Sequence, residues 1–306
     1  MARLTAFLII LFCCAAEMVF SQSDTLTFKD MGDLLYQEKK YNEALDLYNK
    51  FIALDSLNSD AHYKKGLVMY ALKKDSDAIA EYDKAILLDA QRYEYFYNRG
   101  LSKYFLKQHE QSVLDFTKAI QIKPEFVNAY VYRGAAYFSM AKDRECVVDE
   151  TTALTFDLKN VNAYYYRALS RNQLHDYKGM LDDMNKALEI KESYEYYHYR
   201  GVARYGMKEY QVAIADLSKA ISLKPDYVAS YFERGMSYLL EGDDLKAIRD
   251  FNKTIELKPG MTKAFHYRGL AKKYKGDITG ACLDLKKALQ MGYTKSEEEL
   301  EKINCN

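Results

Sequence analysis

The chain has 306 residues, 49% of them hydrophobic and 29% charged, a composition that excludes a disordered chain and fits a globular protein. Lysine plus arginine equals aspartate plus glutamate, 44 of each, so no net field draws the chain to nucleic acid or to an anionic membrane. Three Pro and no Trp stand beside 29 Tyr; scarce Pro fits an all-helical chain, because Pro removes a backbone donor and breaks helix interiors.

The first element is a segment to be removed. Arg3 precedes an apolar run, Leu4 to Ala16, which Glu17 ends and small residues follow. That order is the positive start, apolar centre and small-residue exit of a secretory signal, with cleavage expected after Ser21 and a signal segment of 1–21. A retained membrane anchor is the competing reading. The run is shorter than the ~20 residues a spanning helix needs. The mature chain is therefore expected to be exported, periplasmic or secreted, with no membrane span. Its cysteines are then Cys146, Cys282 and Cys305, in a compartment that permits disulfides.

A fixed beat follows. Gly32, Gly66, Gly100 and Gly134 are 34 residues apart, and the beat continues at Ala168, Gly201, Gly235 and Gly269. Four residues earlier stands an aromatic or His: Phe28, His62, Phe96, Tyr130, Tyr164, Tyr197, Tyr231 and Phe265. Sixteen residues later comes a large residue in most units, such as Tyr48, Tyr82, Phe116, Leu217 and Phe251, and nineteen later usually Ala. Pro124, Pro225 and Pro259 fall just past the second helix, where they break nothing. The offsets describe two antiparallel helices, A and B, in which large residues meet small ones. Gly242 and Gly276 sit where helix A ends and the chain reverses.

This pattern resembles the tetratricopeptide repeat, a 34-residue helix–turn–helix unit. The resemblance covers about residues 25–292. It implies an all-α fold: one right-handed α-solenoid of eight such units over residues 22–292, with a C-terminal capping helix and tail over 293–306. Ala168, Glu150, Cys146 and Met180 depart from the pattern, so repeats 4 and 5 are expected to pack less regularly.

Before each Gly from the third unit on stands an arginine, or in one unit an arginine before Ala. Arg99, Arg133, Arg167, Arg200, Arg234 and Arg268 each have an Asp sixteen residues later. In repeat 2 the pair is Lys65 and Glu81, and in repeat 1 Met31 and Leu47. Two positions that change together touch, so the arginine is expected to serve structure rather than a ligand.

The resemblance also implies where a partner would lie: along the concave side, lined by helix A. The A-helix residues three before and four after the Gly give a candidate partner-binding face of Tyr63, Tyr70, Tyr97, Tyr104, Phe138, Tyr165, His198, Tyr205 and Phe232. Tyrosine joins a large apolar face to a polar tip and suits binding surfaces. The competing reading makes this stripe inter-repeat packing. The Lys/Asn/Arg clamp of the family's chaperone-tail binders is not expected, because Asp33 stands where Asn is needed.

Enzyme motifs are lacking: no G-x-x-x-x-G-K, G-x-S-x-G or H-E-x-x-H occurs. No catalytic residue, metal site or cofactor is expected. The function read from the chain is a non-catalytic interaction scaffold outside the cytoplasm, holding a protein or extended peptide. The alternative is a carbohydrate or small-ligand module using the same aromatic face.

The last element is the cap. Ser296 followed by Glu299 reads as a capping box starting a short helix, with Leu300 and Ile303 on one face. Cys282 lies on the helix B face that should meet this cap, and Cys305 closes the cap. A Cys282–Cys305 disulfide is expected, against the alternative that Cys305 frays into solvent with all three thiols reduced.

Overall fold

The computed structural model describes residues 27–305; the expected signal segment, 1–21, lies outside them. Among the described residues there is no strand. The helices group into two compact units divided between Phe156 and Asp157. The first holds α1 (27–37), α2 (Tyr41–Leu54), α3 (Ser59–Ala71), α4 (Asp75–Leu88), α5 (Tyr93–Phe105), α6 (His109–Ile122), α7 (Val127–Ser139) and α8 (Asp143–Phe156). The second holds α9 (Val161–Gln173), α10 (Tyr177–Ile190), α11 (Tyr194–Gly206), α12 (Tyr210–Leu223), α13 (Val228–Leu240), α14 (Asp244–Leu257), α15 (Thr262–Tyr274), α16 (Ile278–Gln290) and α17 (Lys295–Lys302). Odd-numbered helices up to α15 are helix A of a hairpin and even-numbered ones helix B. Within each unit, helix A packs on its own helix B, and helix B on the next helix A.

The hairpin crossing is set by volume. A Cβ at Gly100 would lie 2.8 Å from the Phe116 ring, and one at Gly235 2.9 Å from the Phe251 ring. Real Cβ atoms do not approach so closely, so only glycine lets these helices meet. The buried rings return more than the roughly 0.5–1 kcal/mol that glycine costs inside a helix. In repeat 4 a fully buried Glu150 takes the ring's place against Gly134, and Met180 and Met184 fill the equivalent core of α10.

One residue away from each glycine, the arginine completes the crossing. Arg99, Arg133, Arg167, Arg200, Arg234 and Arg268 grip Asp115, Asp149, Asp183, Asp216, Asp250 and Asp284 through Nε and Nη2, at 2.5–3.0 Å. The fork geometry of guanidinium makes such pairs both strong and directional. Each arginine carbon also lies 5.3–5.7 Å from the centre of the aromatic ring three residues before it, within cation–π range. Nη1 then reaches the preceding hairpin: Arg99 to Asp83 (2.6 Å), Arg133 to Thr117 (2.9 Å), Arg200 to Asn185 (3.1 Å), Arg234 to Ser218 (2.9 Å) and Arg268 to Asn252 (2.7 Å). In repeat 2, Lys65 and His62 share Glu81 at 3.2 and 2.6 Å.

The turn between helices A and B needs one residue in the left-handed region. Gly242 (φ 79°) and Gly276 (φ 90°) occupy it without strain, but Lys39, Lys73, Lys107, Ala141, His175 and Lys208 hold φ of 55–66°. An L side chain there costs roughly 1–2 kcal/mol.

The cap differs from expectation at its start. α17 begins at Lys295, with Thr294 before it making no side-chain cap bond. Ser296 is buried inside the helix, and its hydroxyl meets His266 Nδ1 at 2.9 Å. A serine held by a neighbouring helix is not available to cap its own. Glu299 instead pairs with Lys273 at 2.8 Å. Cys282 and Cys305 are joined in a disulfide with Cα atoms 5.6 Å apart; a loop of this length is stabilised by about 3 kcal/mol. Cys146 is buried in α8 and takes no part in it.

Two outcomes follow from the crossing and the turn. Asp250→Ala should lower unfolding free energy in urea by about 3–5 kcal/mol, because it strands the Arg234 guanidinium. Adding Arg234→Met should restore part of that loss; a double variant as unstable as the sum of the singles would contradict it. Ala141→Gly should raise stability by roughly 0.5–1 kcal/mol, the strain relieved less the entropy of glycine, read as a higher urea midpoint.

Candidate partner-binding face

The A-helix aromatics divide into two populations. The residues three before the glycine point toward the next hairpin. Tyr63 lies 4.7 Å from Tyr95, Tyr97 lies 4.8 Å from Phe126, and Tyr165 lies 5.9 Å from Tyr196. His198 Nδ1 meets the Ser230 hydroxyl at 3.1 Å, and Phe232 sits 5.8 Å from both Phe251 and Tyr267. His198 is 5% exposed and Phe232 9%. These two residues of the expected face are therefore interior, and Tyr63, Tyr97 and Tyr165 are shared between packing and surface. The physical reason is the close stacking of hairpins: a residue at this phase has the next helix A opposite it, not solvent.

The residues four after the glycine are the accessible ones. Tyr70, Tyr104, Phe138 and Tyr205 are half-buried near the ends of their helices. Tyr70 packs on Phe105 at 6.1 Å, Tyr104 on His109 at 5.3 Å, and Tyr205 on Tyr210 at 5.6 Å. A second set escaped the sequence reading. Two residues before the glycine, Tyr132, Tyr166, Tyr199, Glu233 and Tyr267 are also half-buried. Tyr132 bridges Tyr97 and Tyr104 in the first unit at 6.0 and 6.1 Å, and Tyr199 lies 5.7 Å from Tyr165 in the second. Helical phase could have found them, since positions −6, −2, +1 and +4 share one face at 3.6 residues per turn.

Burial sets the electrostatics here. It pushes the Tyr63, Tyr97 and Tyr165 hydroxyls well above the ordinary tyrosine range, and Tyr205 up to about 12. All four remain neutral hydrogen-bond donors at physiological pH; Tyr63 in turn accepts from Asn98 Nδ2 at 3.1 Å. Burial also pulls His198 down to about 4 and lowers His266, the latter with Glu299 opposing the shift. At the Lys29 end, Lys29 pairs with Asp60 at 3.3 Å, and Asp33 is held by Tyr48 and Lys64. Among the described residues, no group of three His, Cys, Asp or Glu could hold a metal ion, and no helix is long and apolar enough to cross a membrane.

Stacked antiparallel hairpins with a glycine-centred crossing define a class of protein–protein interaction scaffolds. The chain is a tetratricopeptide repeat protein: models described as TPR repeat or tetratricopeptide repeat match residues 32–73, 93–126 and 200–262. No curated protein matches it. Among solved structures it is similar to YrrB, a TPR protein with an unusual peptide-binding site, at 25% identity and a TM-score of 0.50, over 58% of this chain and 92% of that one. It is similar to a tetratricopeptide repeat protein of Parabacteroides merdae at 17% identity and 0.59, over 81% and 99%. A chain of the APC/C hetero-tetramer Cut9–Hcn1 matches at 14% and 0.61, over 90% and 55%. The last two likenesses show the fold alone.

A pH dependence follows from His198. Its ordinary value is 6.5 and its folded value about 4, so the folded state resists protonation. Stability is full above pH 6.5 and is lost as pH falls toward 4, by up to about 3 kcal/mol at 1.36 kcal/mol per unit. Urea unfolding at pH 7 and pH 5 should show this loss, and His198→Gln should be measurably less sensitive to the same change.

Proposed function

We propose that the chain works outside the cytoplasm as a non-catalytic scaffold whose A-helix tyrosines hold an extended segment of a partner protein. The observation that carries this reading is the second population of aromatics. Tyr70, Tyr104 and Tyr205 are not consumed by the hairpin crossing and still reach solvent. Large rings with few rotatable bonds and a neutral donor at the tip bind peptides at low entropic cost. The similarity to YrrB, whose structure has a peptide-binding site, supports a peptide as the ligand class. The apolar run of residues 4–16 supports export, and mass analysis of protein from the exporting cell should show a chain beginning at Gln22; a mass retaining residues 1–21 would argue for an anchor.

The two populations make opposite predictions. A photo-crosslinking residue at Tyr104 should give a defined adduct in the exporting cell, whereas one at Leu87, 86% exposed on helix B of repeat 2, should not. The triple change of Tyr70, Tyr104 and Tyr205 to Ser should abolish the adduct, probed from Tyr132, with little change in melting. Tyr97→Ser should instead cost about 2–4 kcal/mol of stability, as loss of a packed ring does. Adducts from Leu87 alone would overturn the reading.

A further inference from the structure

Acids on or beside the A-helix face are mostly engaged by a neighbour. Asp60 has Lys29, Glu94 has Arg92, Glu195 accepts from Ser193, and Glu299 has Lys273. Glu233 on α13 differs. Among the described residues, no hydrogen bond or ion pair within 4 Å engages its carboxyl group. Lys263, exposed at the start of α15, reaches it only by its charge.

The surroundings of this carboxyl group are aromatic. α13 lies against α11 on one side and α15 on the other. Tyr205 of α11 and Tyr267 of α15 both lie within its electrostatic reach: burial raises their hydroxyls first, and the charge of Glu233 adds to it. Phe232, next in the chain, packs on Tyr267 at 5.8 Å and gives the group a rigid base. Burial pushes the Glu233 carboxyl itself up to about 7. The residue as a whole is half-buried. A carboxyl group with no bonded partner, on a helix packed between two that carry tyrosines within its electrostatic reach, favours a cation, which gains from the charge and can gain from a ring quadrupole. A long basic side chain also lays its methylene stem on the rings.

We propose that Glu233, between Tyr205 and Tyr267, is the subsite for a lysine or arginine side chain of an extended peptide lying along the A helices of the second unit. This rests on the peptide-holding role proposed above and specifies the charge of the residue taken at repeat 7. A neutral or acidic side chain at that point would gain nothing from the charge of the carboxyl group.

The test is selection from a random nonapeptide library on the immobilised full chain, the Glu233→Gln and Glu233→Asp variants, and Lys263→Met. Circular dichroism checks that each variant keeps its helicity. The expected result is that peptides recovered on the native chain align on one basic position, enriched about tenfold over the input library. That enrichment should vanish with Glu233→Gln and survive Glu233→Asp and Lys263→Met. Should the Gln variant fail to fold, the Asp and Met variants still decide, since loss of the basic position in both would overturn the subsite. Peptides recovered without a basic position, or with one that persists in Glu233→Gln, would overturn the subsite and leave the binding face standing. Recovery of no peptide on any form would overturn both.

Discussion

The hairpins depend on one crossing, where a glycine, or Ala168 in repeat 5, meets a large residue sixteen positions later. The small residue fixes how closely helices A and B approach, and the buried ring, aliphatic group or, in repeat 4, Glu150 fixes their register. The arginine and aspartate lie one residue before each partner of that contact, so the same register that packs Gly100 on Phe116 also brings Arg99 to Asp115. Volume and charge thus specify a single alignment. An ion pair at a partly buried position adds little net stability over an apolar pair, but a mismatched register would strand its charges.

The arginine also joins neighbouring hairpins, through Nη1 and a polar residue of the preceding helix B. The −3 residues pack between consecutive hairpins, as Tyr63 does on Tyr95 and His198 on Ser230. What remains for partners is the set of aromatics left over, chiefly those four after and two before the glycine. On the proposed reading, binding and folding draw on different residues of the same helix, which would let the face vary without loosening the stack.

The 34-residue beat made the fold legible, and the paired change from Arg–Asp to Lys65–Glu81 made a contact legible inside one sequence. The third arginine bond was not legible, because its acceptors are Asp83, Thr117, Asn185, Ser218 and Asn252, with no shared residue type. The candidate face was half legible. Spacing places Tyr104 and His198 on helix A, but whether a phase meets solvent or the next hairpin depends on the stacking distance, which a sequence does not state. The start of α17 was misread for the same reason: Ser296 answers to His266, thirty residues away, rather than to its own helix.

The Nη1 bond has a consequence for how such a chain changes length. Because the acceptor of Arg99, Arg133, Arg200, Arg234 and Arg268 is in each case a polar group on the helix B before, the arginine does not distinguish one neighbour from another. If one complete period were excised from the second unit, for example 227–260, Arg268 would face Ser218 of α12 in place of Asn252 of α14. The hydroxyl that now serves Arg234 would serve Arg268. Shortening or lengthening by whole periods leaves no polar group orphaned, whereas a change of a few residues would break register, charge and ring packing together. The array is editable only in its own unit of length.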